Sequence, residues 1–193
     1  MFKDLVKKSR SYRGYDQDRE ITRSELEELV DCARFAPSSV NGQPFKYLLI
    51  NDKSERARLQ KLTGWARALP DMTLPHPGKE PTAFIVICQN TDWDSNLDRY
   101  QRDVGIVAQT MLLAAADAGL GGIMIGNFSP KRVSEEFGLP DNTVPMLVVA
   151  LGKPDENIIL TEMNEGESTA YYRDENDTHY VPKRKLDDII FTA

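Results

Sequence analysis

The run Ala83-Phe84-Ile85-Val86-Ile87-Cys88 contains no charged residue and no break. A strand with one face in water alternates apolar and polar side chains. An unbroken apolar run of this length reads instead as a strand buried on both faces. Val144 to Leu151 reads as a further buried strand, and Phe45 to Ile50 as another. At 193 residues the chain is long enough for one domain with a real core around them. Hydrophobic residues make up 40% and charged residues 28%, the balance of a globular protein rather than a disordered one.

Helical segments separate these strands. Residues 2–8 read as a short helix with Phe2, Leu5 and Val6 on one side. Thr22 and Glu25 form a capping box, with Ile21 and Leu26 at the staple positions, and Leu26, Leu29, Val30, Ala33 and Ala36 continue the stripe until Pro37. Ser54 is expected to cap a short helix through Leu62. From Asp103 to Ala118 a helix is apolar nearly all round, so it belongs in a core or at a subunit contact, and Gly119 ends it. Gly121 to Gly126 reads as a glycine-flanked strand or loop. Ser129-Pro130 opens a last helix that Gly138 closes.

Two stretches are irregular. Residues 64–81 carry Pro70, Pro75, Pro77 and Pro81, a length of connection that often serves as a lid or binding loop. Residues 161–180 are polar and acidic with little periodicity, before Leu186, Ile189, Ile190 and Phe191 return as an apolar tip. Such an arm, 161–193, is expected to pack away from its own body, on a second subunit. The whole chain, 1–193, reads as one domain without repeats.

Charge and composition narrow the function. A formal charge of −6 gives no general attraction to nucleic acid or anionic membranes. No apolar run approaches the roughly 20 residues that span a bilayer, and residues 1–8 contain no apolar signal core. Cys32 and Cys88 lack CxxC spacing and read as free thiols of a reducing compartment, so the chain is expected to be cytoplasmic.

Local clusters run against this acidic background. Lys3, Lys7, Lys8, Arg10 and Arg13 face only Asp4. Arg10-Ser11-Tyr12-Arg13 offers two guanidinium forks and a short hydroxyl, the mixture a phosphate dianion needs. Lys183-Arg184-Lys185 is a second basic triplet, an ordinary surface feature by itself. Ala36 to Phe45 is a turn rich in small polar groups, which turns backbone N–H groups and hydroxyls toward something polar and flat. Together these point to a cofactor with a phosphate at one end.

Other chemistries lack their residues. The glycines at 119, 121, 122 and 126 do not fit G-x-G-x-x-G, because Met124 stands in the last slot, and no phosphate-binding G-x-x-x-x-G-K-[ST] loop occurs. Asp92 to Asp98 begins like a calcium loop but has Leu97 at its glycine and Asp103 at its bidentate glutamate. His76 and His179 lie in polar, loop-like segments without metal-ligand spacing, and no G-x-S-x-G elbow is present. No side chain stands out as a catalytic group, so an enzyme of this kind borrows its chemistry from the cofactor.

The chain resembles the FMN-dependent nitroreductase family. The resemblance is carried by R-S-x-R at Arg10–Arg13, P-S-S-x-N-x-Q-P at Pro37–Pro44, Asp103, Gly105 and Gln109 at the long helix, the glycines of 119–126, and Pro182-Lys183-Arg184-Lys185-Leu186. It implies an α+β fold: a three-layer sandwich with a mixed, mainly antiparallel sheet flanked by helices, and a C-terminal strand exchanged in a homodimer with FMN at the interface. By position it implies that Arg10, Ser11 and Arg13 bind the phosphate and ribityl end, closed by Lys183 and Arg184. Pro37, Ser38, Ser39 and Asn41 would border the isoalloxazine from the other subunit, with Gln43 nearby. Gly121, Gly122 and Gly126 would bring backbone against its other edge. Two positions depart from the family pattern: Ser9 where an arginine is frequent, and Phe45 where tryptophan is.

The activity so implied is ping-pong hydride transfer from NAD(P)H through FMN to a nitroaromatic, quinone or similar small acceptor, with Trp65 and the loop 64–81 as the outer wall of the slot. The competing expectation is a flavin-binding sensor or partner module without steady turnover. Bound metal, nucleic acid and membrane are not expected.

Overall fold

The computed structural model describes residues 1–191. In chain order the elements are α1 (Phe2–Lys8), β1 (Tyr15–Asp16), α2 (Arg23–Arg34), β2 (Phe45–Ile50), α3 (Lys53–Gln60), β3 (Ala83–Asn90), α4 (Gln101–Asp117), β4 (Gly121–Ile125), α5 (Pro130–Phe137), β5 (Thr143–Pro154), β6 (Ile158–Met163), β7 (Tyr172–Arg173) and β8 (His179–Arg184). The last two residues of the C-terminal arm, 192 and 193, lie outside the described residues.

Every residue of β3 is buried, as its apolar run requires. Its odd residues Ala83, Ile85 and Ile87 pack with α2 and α4 through Leu26, Leu29, Val107, Ala108 and Met111. Its even residues Phe84, Val86 and Cys88 pack on the opposite side with Leu59 of α3 and Val133 of α5. Strand alternation thus divides one apolar run between two cores and produces helix, sheet and helix layers. Burial pushes the Cys88 thiol up to about 12, so it is an inert core group.

The central sheet runs β1-β5-β3-β2, with β4 also on β5, and all of its strand pairs are antiparallel. The mixed character lies in a second sheet, β6-β8-β7, where β6 and β8 run parallel. This fold is the α+β sandwich implied by the resemblance.

The starts of the helices follow their caps. Thr22 Oγ1 accepts from Glu25 N while the Glu25 carboxylate accepts from Thr22 N, and Ile21 and Leu26 are both buried beneath them. The third helix corrects the sequence reading: Asp52, not Ser54, is its cap. Asp52 Oδ1 accepts from Ser54 N at 2.9 Å and Glu55 N at 3.0 Å, a charged acceptor outcompeting a hydroxyl, and the helix ends at Gln60. Within one chain α4 buries Val104, Val107, Ala108 and Met111 and leaves Gly105 and Ile106 exposed, so one of its sides packs in the core.

The arm shows the largest difference. Its polar stretch contains β7 and parts of β6 and β8, and residues 171–184 lie on their own chain rather than away from it. Arg173 pairs with Glu156 and Asp177, His76 Nε2 lies 3.1 Å from Asp177 Oδ2, and the Arg13 guanidinium covers the Tyr171 ring at 4.8 Å. These ionic and cation–π contacts replace the apolar stripe that sequence patterning detects. The tip, with Leu186, Ile189, Ile190 and Phe191, remains exposed.

Gly122 in β4 allows a close backbone approach. A Cβ built there would sit 2.3 Å from the Ala150 carbonyl oxygen and 2.8 Å from Leu112, and the carbonyl belongs to the adjoining strand. Gly122→Ala is therefore expected to destabilise the fold by about 3 kcal/mol, read as a lower urea midpoint at unchanged slope. A midpoint equal to wild type would refute the packing assignment.

Candidate functional site

Arg10, Ser11, Arg13 and Lys183 line one cavity of about 130 Å³, with Ile158, Tyr171, His179 and Val181. The segment carrying the arginines is fixed from several sides. Tyr12 N donates to Gly122 O at 3.2 Å, Tyr15 OH donates to Tyr12 O at 2.8 Å, and Arg13 N donates to Glu156 Oε2 at 2.6 Å. Arg10 is held by a 2.6 Å bond from Nη2 to Val6 O. Bonds from Arg10 to Val6 O and from Arg13 Nη1 to Ser11 O aim the guanidinium groups.

The cavity is cationic and incompletely paired. Arg13 is 7% exposed. The Nε atoms of Arg10 and Arg13 are buried without a hydrogen-bond partner, as are both ring nitrogens of His179. Burial lowers the pKa of both arginines from the ordinary value, a sign of unmet charge. Burial first, then the charges of Arg13 and Arg173, lower His179 to about 4. Unpaired buried donors of this number are costly unless a ligand meets them. An anion with several acceptor oxygens fits this donor set, and the phosphate end of FMN is such an anion.

Lys183 and Arg184 separate here. Alternation along β8 puts His179, Val181 and Lys183 on the cavity, whereas Arg184 is exposed and absent from its lining. Closure by Arg184 is thus not formed within this chain.

A second cavity, about 210 Å³, adjoins the first and shares Arg13 and Tyr171 with it. Trp65, Met124, Gly126 and Asn127 form much of its wall. Trp65 Nε1 donates to Thr63 Oγ1 at 2.9 Å, which fixes the indole, and Gly64 N donates to Asn127 O at 2.7 Å, which ties the loop to the end of β4. A Cβ at Gly126 would meet nothing within 4 Å, so this glycine opens onto free space. Gly121 and Gly122 differ. They are buried, and the chain itself occupies the room above them: Tyr12 and Pro154 at Gly121, and Ala150 O, Leu112 and Leu151 at Gly122.

The Pro37–Pro44 turn lies elsewhere. Ser38 and Gln43 line a third cavity, about 140 Å³, with Ala33, Arg34, Ala36, Phe45, Tyr47 and Val107, and it shares no residue with the first two. The serine hydroxyls do not face it as free donors. Ser38 Oγ donates to Asp103 Oδ2 at 2.9 Å, Ser39 Oγ to Oδ1 at 2.8 Å, and Ser39 N to Oδ2 at 2.6 Å. Asp103 is 3% exposed. The turn it anchors carries positive φ at Val40, Asn41 and Gln43, and Gln43 Nε2 donates to Asn41 Oδ1 at 3.0 Å. Pro37, Asn41 and Gln43 are exposed.

Within one chain the predicted site residues that line cavities therefore fall into two groups, one around Arg13 and one on the turn at 37–44, while Gly121, Gly122 and Arg184 line none of the three. Sequence reasoning missed Tyr171, His179 and Asp103 as site residues. The i, i+2, i+4 spacing of His179, Val181 and Lys183 was the available signal for the histidine.

The α+β sandwich thus sets a buried group of unpartnered cationic donors beside a glycine-edged slot. A family model described as the Nitroreductase family matches residues 6–153, and the chain belongs to that family. It is 25% identical over 202 residues to FMN reductase [NAD(P)H] of Bacillus subtilis strain 168, covering 91% of this chain and 80% of that protein. A crystal structure of a nitroreductase family protein from Clostridium difficile 630 is 30% identical, with a TM-score of 0.62 over 79% of this chain and 84% of that one. A structure from Exiguobacterium sibiricum 255-15, a complex with FMN, is 22% identical and shares the fold at a TM-score of 0.67, covering 81% and 89% of the two chains. No helix among the described residues is long and apolar enough to cross a membrane.

Proposed function

We propose that this protein is an FMN-dependent oxidoreductase that takes hydride from NAD(P)H and delivers it to a nitroaromatic, quinone or similar small acceptor. The observation that carries the reading is the set of unpartnered buried donors around Arg13. Membership of the nitroreductase family and the likeness to an FMN reductase support it.

In this reading Arg10, Arg13 and Lys183 neutralise the phosphate, and Ser11 supplies a short donor. Trp65 walls the slot in which donor and acceptor take turns, and Gly126 leaves that slot open. Bound FMN supplies the hydride chemistry that none of these side chains offers. Pro37, Ser38, Ser39, Asn41 and Gln43 border the flavin from a second copy of the chain. Their separation from Arg13 within one chain and the exposed tip at Leu186–Phe191 support a homodimer with the tip of the arm docked on its partner. The backbones of Gly121 and Gly122 back the strand behind the ring, and Arg184 adds charge near the phosphate.

Anaerobic spectroscopy tests the exchange order. The purified yellow protein is expected to bleach with NADH or NADPH alone, then recover its colour when a quinone or nitroaromatic is added after the nucleotide is removed. A protein that stays yellow with both donors would refute turnover and favour a sensor.

A further inference from the structure

The imidazole of His179 has no task in the reading above, yet it occupies the floor of the same cavity. It is 2% exposed and begins β8, paired in register with Arg173 of β7 and Ile158 of β6. It lines the cavity with Arg10, Ser11, Arg13 and Lys183. The Tyr171 ring meets it edge-on at 5.2 Å, and neither ring nitrogen has a partner. A neutral imidazole always presents one N–H donor and one acceptor, and burying both unpaired is costly. Its neighbours disfavour a second proton on the ring. Arg13, Arg173 and Lys183 bring positive charge. Asp177 is engaged by Arg173 and His76, and Glu156 by Arg173 and Arg13 N, so neither carboxylate is free to pair with the ring.

We propose that His179 is a direct ligand of the FMN phosphate and becomes imidazolium when that anion binds. The proposal rests on the flavin reading. A phosphate dianion brings acceptor oxygens for the unpaired N–H groups and negative charge among three cations. The proton comes from solvent: neutral imidazole, dianion and H⁺ become an imidazolium–dianion pair, and no other bond forms or breaks. Before binding, burial and then Arg13 and Arg173 keep His179 near 4, so it is neutral at ordinary pH and takes up its proton only with the ligand. FMN binding is then linked to proton uptake, whereas riboflavin, which lacks the phosphate, is not. A phosphomonoester is dianionic above about pH 6, which leaves a window near neutrality in which the histidine accounts for the linkage.

The sequence contains two histidines, so proton NMR of the ring C–H signals resolves the question, with His76→Gln assigning the other signal. In the FMN-loaded protein His179 is expected to titrate above about pH 7. An imidazole that stays neutral down to about pH 5.5 in the loaded protein would overturn the proposal. Calorimetry of the FMN-free protein with FMN, in buffers of different ionisation enthalpy, gives a second readout. Near pH 7 wild type is expected to take up about one more proton per FMN than His179→Gln, and riboflavin none. Equal proton counts would overturn the proposal and leave the flavin reading standing. Failure to bind FMN at all would overturn both. Should His179→Gln fail to fold, the NMR titration of wild type decides alone.

Discussion

Arg13→Ala is expected to purify colourless under conditions in which the wild-type protein carries FMN. The Arg13 backbone is fixed by its bond to Glu156, and its guanidinium lies over the Tyr171 ring. Its Nη1 donates to Ser11 O at 3.1 Å, but its Nε has no partner. Losing a charge-assisted hydrogen bond at a buried site costs about 1.5–3 kcal/mol, or roughly 10- to 150-fold in affinity. A fork that meets two phosphate oxygens exceeds that range. Arg13→Lys keeps the charge without the fork and is expected to fall between wild type and alanine. The cation–π contact with Tyr171 is lost as well, so the FMN titration is paired with a urea midpoint to separate binding from folding. A folded Arg13→Ala protein that retains FMN at wild-type affinity would refute the phosphate assignment.

Asp103→Ala is expected to lower stability by about 3 kcal/mol or more and to loosen the turn at 37–44. The carboxylate at the first turn of α4 accepts three bonds from Ser38 and Ser39, and without it the part-buried Ser39 N–H loses its acceptor. The bonds also hold three non-glycine residues at positive φ, a conformation that relaxes once its anchor is gone. The pH dependence follows from the same contacts. Burial alone would raise the Asp103 pKa, but hydrogen bonds from Ser39 and Ser38 outweigh it and hold the group below its ordinary value. A lowered folded-state pKa means that the contribution is complete above the unfolded carboxylate value, about 4, and disappears as pH falls through the lowered value. Acid unfolding of wild type should therefore steepen below about pH 4, and Asp103→Asn should flatten that limb. Superimposable acid limbs would remove Asp103 from the account.

The layers of the fold were legible because apolar periodicity wrote them. The run at Ala83–Cys88 announced a two-sided strand, and its alternate residues serve two separate cores. Thr22 and Glu25 announced a helix start that the structure reproduces bond for bond. Where polar groups compete, sequence decides less. Ser54 read as the cap of the third helix, and only the pattern of backbone donors selects the Asp52 carboxylate instead. The strands of the arm were illegible for the same reason. Tyr172 stacks on Tyr180 at 5.0 Å, and Arg173 is buried against Glu156, contacts that leave no apolar period.

The candidate site divides along the same line. Arg10, Ser11, Arg13 and Lys183 were visible as basic clusters in an acidic chain, and one cavity unites them. The serines of the turn were visible too, but as ligand-facing hydroxyls, whereas both are committed to Asp103, some 64 positions away in sequence. No local pattern reports such a partner. His179 was hidden in a polar segment, and it is buried where β8 pairs with β6 and β7 and the Tyr171 ring meets it.

The measurement that bears most directly on the account is a crystal structure of the protein with FMN. Phosphate density is expected against Arg10, Ser11, Arg13 and Lys183 of one chain, with the Pro37–Gln43 turn of a second chain across the ring. Density for the phosphate elsewhere, or a flavin enclosed by a single chain, would contradict it.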